Sequence, residues 1–458
     1  MNRYAPWFLA PFLVLFGVMA SLVSSHSWAQ DSTTHNSSLD LSPLRDLAKS
    51  GDAEAQNLLG LAYDLGRGVA EDKAEAFKWY SLAAEQGLAK AQYNLGLCHD
   101  EGLGTKVNKA LAVKWYRLAA AQGHPEAQLN LGVSYSQGHG VSKDQAEAIK
   151  WFQKSAEGGV PLAQYYLGLA YESGDGAPKD RAQALKWYSL AAANNHPKAM
   201  YNLGLLYSQG EERDLAAAFK WIHKAALAGH LNAIFNVAQA YEDGLGVPKN
   251  QGEALKWRKK AADLGHLEAL LSLAQAYDEG QGLKVNKAQA FKLYSQAAEQ
   301  GSSKAMFCLG VAYSLGQGTE KNQAEALKWF SLAAEKGHLG AQYNLGLAYD
   351  EGIGVKADKA LAIKWYRQAA DQGLVAAQYN LALHYDQGDG VPVDKGMAFR
   401  WYRLAAEKGY APAQYNLSVS YLKGEGTGVD QNLSLKWLRL AAENGHAEAK
   451  NALKKLNQ

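Results

Sequence analysis

From Asp52 to Gly445 the chain alternates between two kinds of amphipathic stretch. In the first, Ala91, Leu95 and Cys98, or Ala341, Leu345 and Ala348, fall at i, i+4 and i+7, the spacing of one helix face. In the second, Ala362, Trp365 and Ala369 fall at i, i+3 and i+7, and Tyr366 and Ala370 widen the apolar face. No run of alternating β-branched residues intervenes, so the pattern predicts an all-α chain. Neither stretch carries enough apolar surface to be buried alone. The two must form hairpins that stack on one another.

The stacking has a ruler. Trp79, Trp115, Trp151, Trp187, Trp221, Trp257, Trp329, Trp365, Trp401 and Trp437 recur at a period of 36 residues. One interval is 34, and Leu293 stands at the midpoint of a double interval. A fixed period of this length marks a repeat architecture, and without strands a propeller is excluded. Glycine punctuates each repeat. Gly-x-Gly pairs such as Gly102 and Gly104, or Gly352 and Gly354, close the first helix with turns that need positive φ. The second helix ends eight residues past the Trp at Gly87, Gly123, Gly373 and their equivalents, with Asn195 as the one exception. Gly, then Asn, is what a left-handed C-terminal cap accepts. A further glycine sits inside the first helix (Gly60, Gly96, Gly132, Gly168, Gly204, Gly310, Gly346), where it is expected to admit the backbone of another helix.

The stretch AQYNLGLAYDEGIGV followed by KWYRQAADQG (Ala341 to Gly373) resembles the Sel-one-like repeat, a relative of the tetratricopeptide repeat with a longer loop between its helices. The likeness covers eleven repeats. It implies a right-handed α/α solenoid with terminal capping helices, whose first helices line a concave groove for proteins or peptides. Proteins of this kind act as adaptors in the bacterial envelope or the secretory pathway. Some relatives are described as penicillin-interacting or β-lactamase-like, which keeps an envelope enzyme open as an alternative. A structural spacer within an assembly is a third.

The ends differ from the repeats. Residues 1–29 carry Arg3, an apolar run from Trp7 to Val23, and small residues at Ser27 and Ala29, which read as a cleaved secretory signal. The rival is an uncleaved anchor, which would be the only membrane contact. Residues 30–41 read as a polar, flexible leader. Residues 42–51 read as an N-terminal capping helix with Ser42 as N-cap, and 446–458 as a C-terminal one. The protein is thus expected to be exported, to the periplasm or beyond.

Charge excludes one class of partner. Removing the signal segment takes away Arg3 and leaves 46 basic against 45 acidic residues, too balanced for nucleic acid as the main ligand. The residue before the Trp is Lys in every repeat but one, where it is Arg400. The reading is a solvated outer face with its stems over the Trp region, the alternative being a surface for an acidic partner. Cys98 and Cys308 lie six repeats apart, too far for a disulfide, and read as small hydrophobes. His124, His196, His230, His266, His338 and His446 each follow the end of a second helix. Their spacing puts them in successive layers, so they read as packing residues rather than zinc ligands. The repeats around residues 210–293 are irregular, through drift or through a change of twist.

Catalytic motifs are absent apart from S-x-x-K at Ser420 to Lys423, on an ordinary helix position and without its companion motifs. No cofactor is expected. The candidate site is instead the second stripe of the first helices. It carries Tyr93, Tyr165, Tyr201, Phe235, Tyr343, Tyr379 and Tyr415. Beside them run Asn94, Asn130, Asn202, Asn236, Asn344, Asn380 and Asn416. Rings supply contact area, and amides can bond both N–H and C=O of an extended peptide. The alternative is that the rings pack between neighbouring first helices while the amides brace the next repeat.

Overall fold

A computed structural model describes residues 40–211 and 213–456. The signal segment and most of the leader lie outside the described residues. Among the described residues there are 24 helices and no strand. Eleven hairpins run from Ala53–Leu65 paired with Lys73–Glu85 to Ala411–Lys423 paired with Gln431–Glu443. Helices Ser42–Lys49 and Ala447–Leu456 flank them. The chain divides into two bodies, one up to Ala163 with Asp175–Ala177, the other comprising Gln164–Gly174 and everything from Pro178 on. In each body, consecutive helices pack on one another, within hairpins and from one hairpin to the next. The fold is an α-solenoid.

The glycines fall where the sequence places them. Gly87, Gly123, Gly373 and their equivalents all have positive φ. Asn195, at 58°, is the only non-glycine among the described residues to do so. The second glycine of several Gly-x-Gly pairs has an additional duty. A Cβ on Gly104 would lie 2.0 Å from the carbonyl oxygen of Lys73, where the preceding second helix starts. Gly140 and Gly318 meet Lys109 and Lys287 in the same way. One backbone rests on another there, and only glycine fits.

The glycine inside the first helix has a different cause from the one expected. It faces a side chain first, with a backbone carbonyl of the second helix at 3.0–3.3 Å behind it at Gly60, Gly132 and Gly204. A Cβ on Gly96 would come within 2.6 Å of the Tyr116 ring, the residue after the Trp, and Gly60, Gly168 and Gly346 likewise seat Tyr80, Tyr188 and Tyr366. This ring, rather than the tryptophan, is the buried centre of the hairpin. Tyr116 is 1% exposed, whereas most of the tryptophans are only partly covered. Trp115 lies against the cluster formed by Ala76, Tyr80, Ala83 and Leu95, so it fills the joint with the preceding repeat.

A buried phenol needs a partner for its hydroxyl. It finds the acid at the end of its own first helix: Tyr116 to Asp100 (3.3 Å), Tyr188 to Glu172 (2.6 Å), Tyr366 to Asp350 (3.2 Å), Tyr402 to Asp386 (3.3 Å). The lysine opening the second helix joins the same carboxylate: Lys109 to Asp100 and Lys359 to Asp350 at 2.6 Å, Lys395 to Asp386 at 2.7 Å. Burial, with the nearby carboxylate, drives the Tyr116 and Tyr366 hydroxyls well above the usual phenol range. Where the ring lacks a hydroxyl, the set changes together. Phe152 goes with Ser136 and Gln145, and Phe330 with Ser314 and Gln323. Each of these glutamines donates to the serine's backbone carbonyl. Ile222 goes with Ser208 and Leu438 with Leu422. Arg258 replaces the phenol with an ion pair to Glu242. Ala238 stands at the glycine position of this repeat, as Ala274 and Ala382 do opposite Tyr294 and Tyr402.

One local reading is corrected and another is given its structural form. Ser42 is not an N-cap: the helix begins at Ser42 itself, and its backbone N–H donates to Asp40 Oδ1 at 2.9 Å. The irregularity before Trp221 is a compensated deletion. Helix Pro197–Tyr207 is two residues shorter than its equivalents. The guanidinium of Arg181 bonds the carbonyls of Leu206 and Gln209 left at its end.

Candidate functional site

All fourteen stripe residues are half-buried and lie on first helices. Tyr93, Asn94 and Asn130 belong to the first body; Tyr165, Tyr201, Asn202, Phe235, Asn236, Tyr343, Asn344, Tyr379, Asn380, Tyr415 and Asn416 belong to the second. Each ring is turned toward the following repeat. Tyr93 stacks on His124 at 4.8 Å, Tyr201 on His230 at 4.4 Å, Phe235 on His266 and Tyr415 on His446 at 4.5 Å. Tyr379 meets Tyr410 edge-on instead.

These histidines cap helices. Nδ1 of His196 accepts from the Ala199 backbone N–H at 3.2 Å, and His230, His266, His338 and His446 do the same three residues ahead. An accepting Nδ1 is unprotonated there, so the cap favours the neutral ring. Burial, with Lys198 nearby, brings His196 and His230 down to about 4, and burial lowers His266 and His338 as well.

The asparagines cross the joints between repeats. Asn94 donates to Asn57 Oδ1 at 3.0 Å, and Asn236 to the Tyr201 hydroxyl at 3.2 Å. Asn202 donates to Tyr188 at 3.1 Å and also supports Tyr165. Asn130 supports Tyr93 and Tyr116; Asn380 supports Tyr343 and Tyr366; Asn416 supports Tyr379 and Tyr402. Burial pushes the Tyr93 and Tyr165 hydroxyls up to about 12. The pairing has a rule: Asn stands opposite a ring hydroxyl or an amide of the preceding repeat. Opposite Phe235 the position holds Ser272, and opposite Leu271 it holds Cys308. Asn344 breaks the rule. The preceding ring is Phe307, and among the described residues the Asn344 amide has no hydrogen-bond partner.

The rest of the stripe divides in the same way. Asp100 is held within its hairpin by Lys109 and Tyr116, while Glu101 is exposed. Leu97 in the first body is half-exposed beside the amides, and in the second body Val311, Leu347 and Leu383 form a half-exposed apolar row beside them. On the second helices, the ammonium groups of Lys114, Lys186 and Lys364 lie 5.0–5.7 Å from the following Trp rings. Lys78, Lys150, Lys256 and Lys328 pair with a glutamate one turn before. Ser420 donates to the Asn416 carbonyl of its own helix at 3.0 Å, and Lys423 reaches Glu425. Cys98 and Cys308 are free thiols, the first buried and the second half-buried. One three-residue group with metal-ligand chemistry is present among the described residues: Asp350, His384 and Asp389.

What sequence reasoning missed was the double use of the tyrosines and acids. The signal was there, in the joint change of Tyr, Asp and Lys to Phe, Ser and Gln between repeats.

The Sel1 repeat family matches at residues 53–88, 89–124, 125–160, 161–196, 197–230, 231–266, 267–302, 303–338, 340–374, 375–410 and 411–446. Among solved structures, a protective antigen present in uropathogenic Escherichia coli strains, with an SLR fold, is 36% identical. That match covers 91% of each chain at a TM-score of 0.73. A Sel1 repeat protein from Oxalobacter formigenes is 32% identical, over 75% of this chain and 89% of that one, with a TM-score of 0.43. No curated relative matches the chain. Sel1-repeat proteins generally serve as protein-interaction scaffolds. With eleven matched repeats and an extensive likeness to a solved member, the chain belongs to the Sel1 repeat family.

Proposed function

We propose that the protein is an exported, non-enzymatic scaffold that binds an extended peptide segment of a partner along the first-helix face of its second body. The observation that carries the reading is Asn344. The other stripe asparagines stand opposite a hydroxyl or an amide across a joint between repeats, whereas Asn344 stands opposite Phe307 and keeps a donor and an acceptor for a ligand. It stands beside the half-exposed Leu347, with glycine at position 340. An amide able to bond main-chain N–H and C=O, next to an apolar row, suits a peptide backbone with intermittent apolar side chains.

Export is supported by residues 1–29. Among the described residues no helix is long and apolar enough to cross a membrane. A non-catalytic role is supported by Ser420, whose hydroxyl is engaged by its own helix backbone. That the similar Escherichia coli protein is a protective antigen accords with a location where antibodies reach it.

The test is selection of a random peptide library on the purified full chain. Asn344→Ala breaks no internal hydrogen bond, so stability should stay within about 0.5 kcal/mol of the parent. Enriched peptides are expected to bind it at least about tenfold more weakly. Leu347→Asp should abolish binding. Peptides that bind both variants as well as the parent, or no enrichment at all, would refute the reading.

A further inference from the structure

We propose that Asp350, His384 and Asp389 form a site for a divalent transition-metal ion of the Zn²⁺ or Co²⁺ class, bridging two adjacent repeats. His384 is out of pattern. Its position in the core stripe of the first helix is Ala62, Ala170, Ala240, Ala276, Ala312 and Ala348 in six other repeats, and Cys98, Ser134, Leu206 and Ser420 in the rest. Here it holds an imidazole that is 5% exposed.

The hydrogen bonding fixes the ring's tautomer. His384 Nδ1 lies 2.8 Å from the backbone carbonyl oxygen of Asp389. A carbonyl only accepts, so Nδ1 carries a proton, and in the neutral ring Nε2 presents a lone pair. That lone pair faces Asp350 Oδ2 at 3.4 Å. Oδ2 also accepts from the Tyr366 hydroxyl at 3.2 Å, and Oδ1 takes the Lys359 ammonium at 2.6 Å. In the neutral ring two electron-rich atoms thus face each other, across a gap that either a second imidazole proton or a metal ion can fill. The gap has the right span: metal–ligand bonds of about 2.0–2.2 Å at a tetrahedral angle put a nitrogen and an oxygen ligand about 3.4 Å apart. Asp389 supplies a third donor, and one ligand atom from each residue lies within 4.8 Å of the others.

The surroundings match those of a ligating histidine. Such a ring donates its other N–H to a carbonyl or carboxylate, and its carboxylate neighbours are themselves hydrogen-bonded. The donor set of one imidazole and two carboxylates favours a borderline ion over Ca²⁺ or Mg²⁺. The local competitor is Lys359, whose ammonium also reaches Asp389 Oδ2 at 3.1 Å. One ammonium against two carboxylates still leaves the cluster net negative while the ring is neutral. Asp350 ends helix Leu339–Glu351, His384 lies on Val375–Gln387, and Asp389 follows in the next loop. A bound ion would clamp one repeat to the next.

Calorimetric titration of the chelator-stripped full chain with Zn²⁺, together with the visible absorption of a Co²⁺ complex, tests this. One equivalent is expected, with d–d bands of a low-symmetry site. His384→Ala should weaken that site at least about tenfold. It restores the residue that six other repeats carry, so it should fold. Lys359→Gln should tighten binding severalfold by removing a neighbouring positive charge. No stoichiometric binding, or binding and bands unchanged in His384→Ala because the ion sits elsewhere, would overturn the assignment. So would weaker binding in Lys359→Gln, measured on protein with native helix content.

Discussion

Replacing Asp100 with Ser removes one carboxylate and strands two groups. Tyr116 is 1% exposed and its hydroxyl bonds Asp100 at 3.3 Å, so the change leaves a buried donor without a strong acceptor. A buried polar group without its partner costs about 1–3 kcal/mol. Lys109 loses the same carboxylate, but its side chain is one-third exposed. That half of the cluster is worth only about 0–1 kcal/mol. The sum, about 2 kcal/mol, corresponds to roughly a thirtyfold change in an opening equilibrium. The triple change Asp100→Ser, Lys109→Gln, Tyr116→Phe installs the set that the chain itself uses at Ser136, Gln145 and Phe152. It should fall within about 1 kcal/mol of the parent, because neither a hydroxyl nor an ammonium is left waiting. In a repeat array the effect is local, so a whole-chain melt is the wrong assay. Hydrogen exchange of amides in Ala89–Glu101 and Lys109–Ala121 reads it directly. Protection should fall sharply in the single variant and return in the triple. If Asp100→Ser costs the same with and without Tyr116 and Lys109, the three residues act independently and the reasoning fails.

Two other perturbations separate closely matched sites. Gly104 and Gly282 share φ near 70°, but a Cβ at Gly104 meets the Lys73 carbonyl at 2.0 Å while one at Gly282 meets nothing within 4 Å. Gly282→Ala should cost about 1–2 kcal/mol from backbone strain alone, and Gly104→Ala clearly more; equal losses in urea titrations would contradict the contact. His196 and His230, brought down to about 4 by burial, bind fewer protons folded than unfolded between pH 6.5 and 4. Their stabilising contribution is therefore complete above about pH 6.5 and is lost as pH falls toward 4. Asn keeps the capping acceptor without titrating, so His196→Asn with His230→Asn should flatten the stability profile over that window. An unchanged slope would show that other groups set it.

Period, helix pairing and helix ends were legible in the chain because each rests on a local rule. Trp spacing sets the repeat, and positive φ demands Gly or, at position 195, Asn. The candidate stripe was legible as a row but not as a set of contacts. Whether Tyr343 points to solvent or into a joint depends on what the following repeat places against it. A helical wheel of one helix does not contain that neighbour. The glycine inside the first helix shows the same limit. Periodicity required something close at Gly96, but not that it would be the ring of Tyr116 rather than a backbone. His384 escaped notice because its meaning comes from Asp350, one repeat earlier, and from a loop carbonyl.

The Tyr–acid–Lys cluster closes within a single hairpin, and this bears on how such a chain changes length. Duplicating or losing one whole hairpin carries every such cluster along intact, so copy number can drift without opening a hole in any core. The toll falls at the seam, where an asparagine must again meet a hydroxyl. Copying the hairpin that carries Tyr343 and Asn344 sets a second Asn344 opposite the first Tyr343 and keeps the seam matched. Copying the one with Leu271 and Ser272 sets Ser272 opposite Leu271, where the chain now has Cys308. Growth of the array is thus easiest where the amide ladder is regular, and the irregular middle is the stretch least free to be copied.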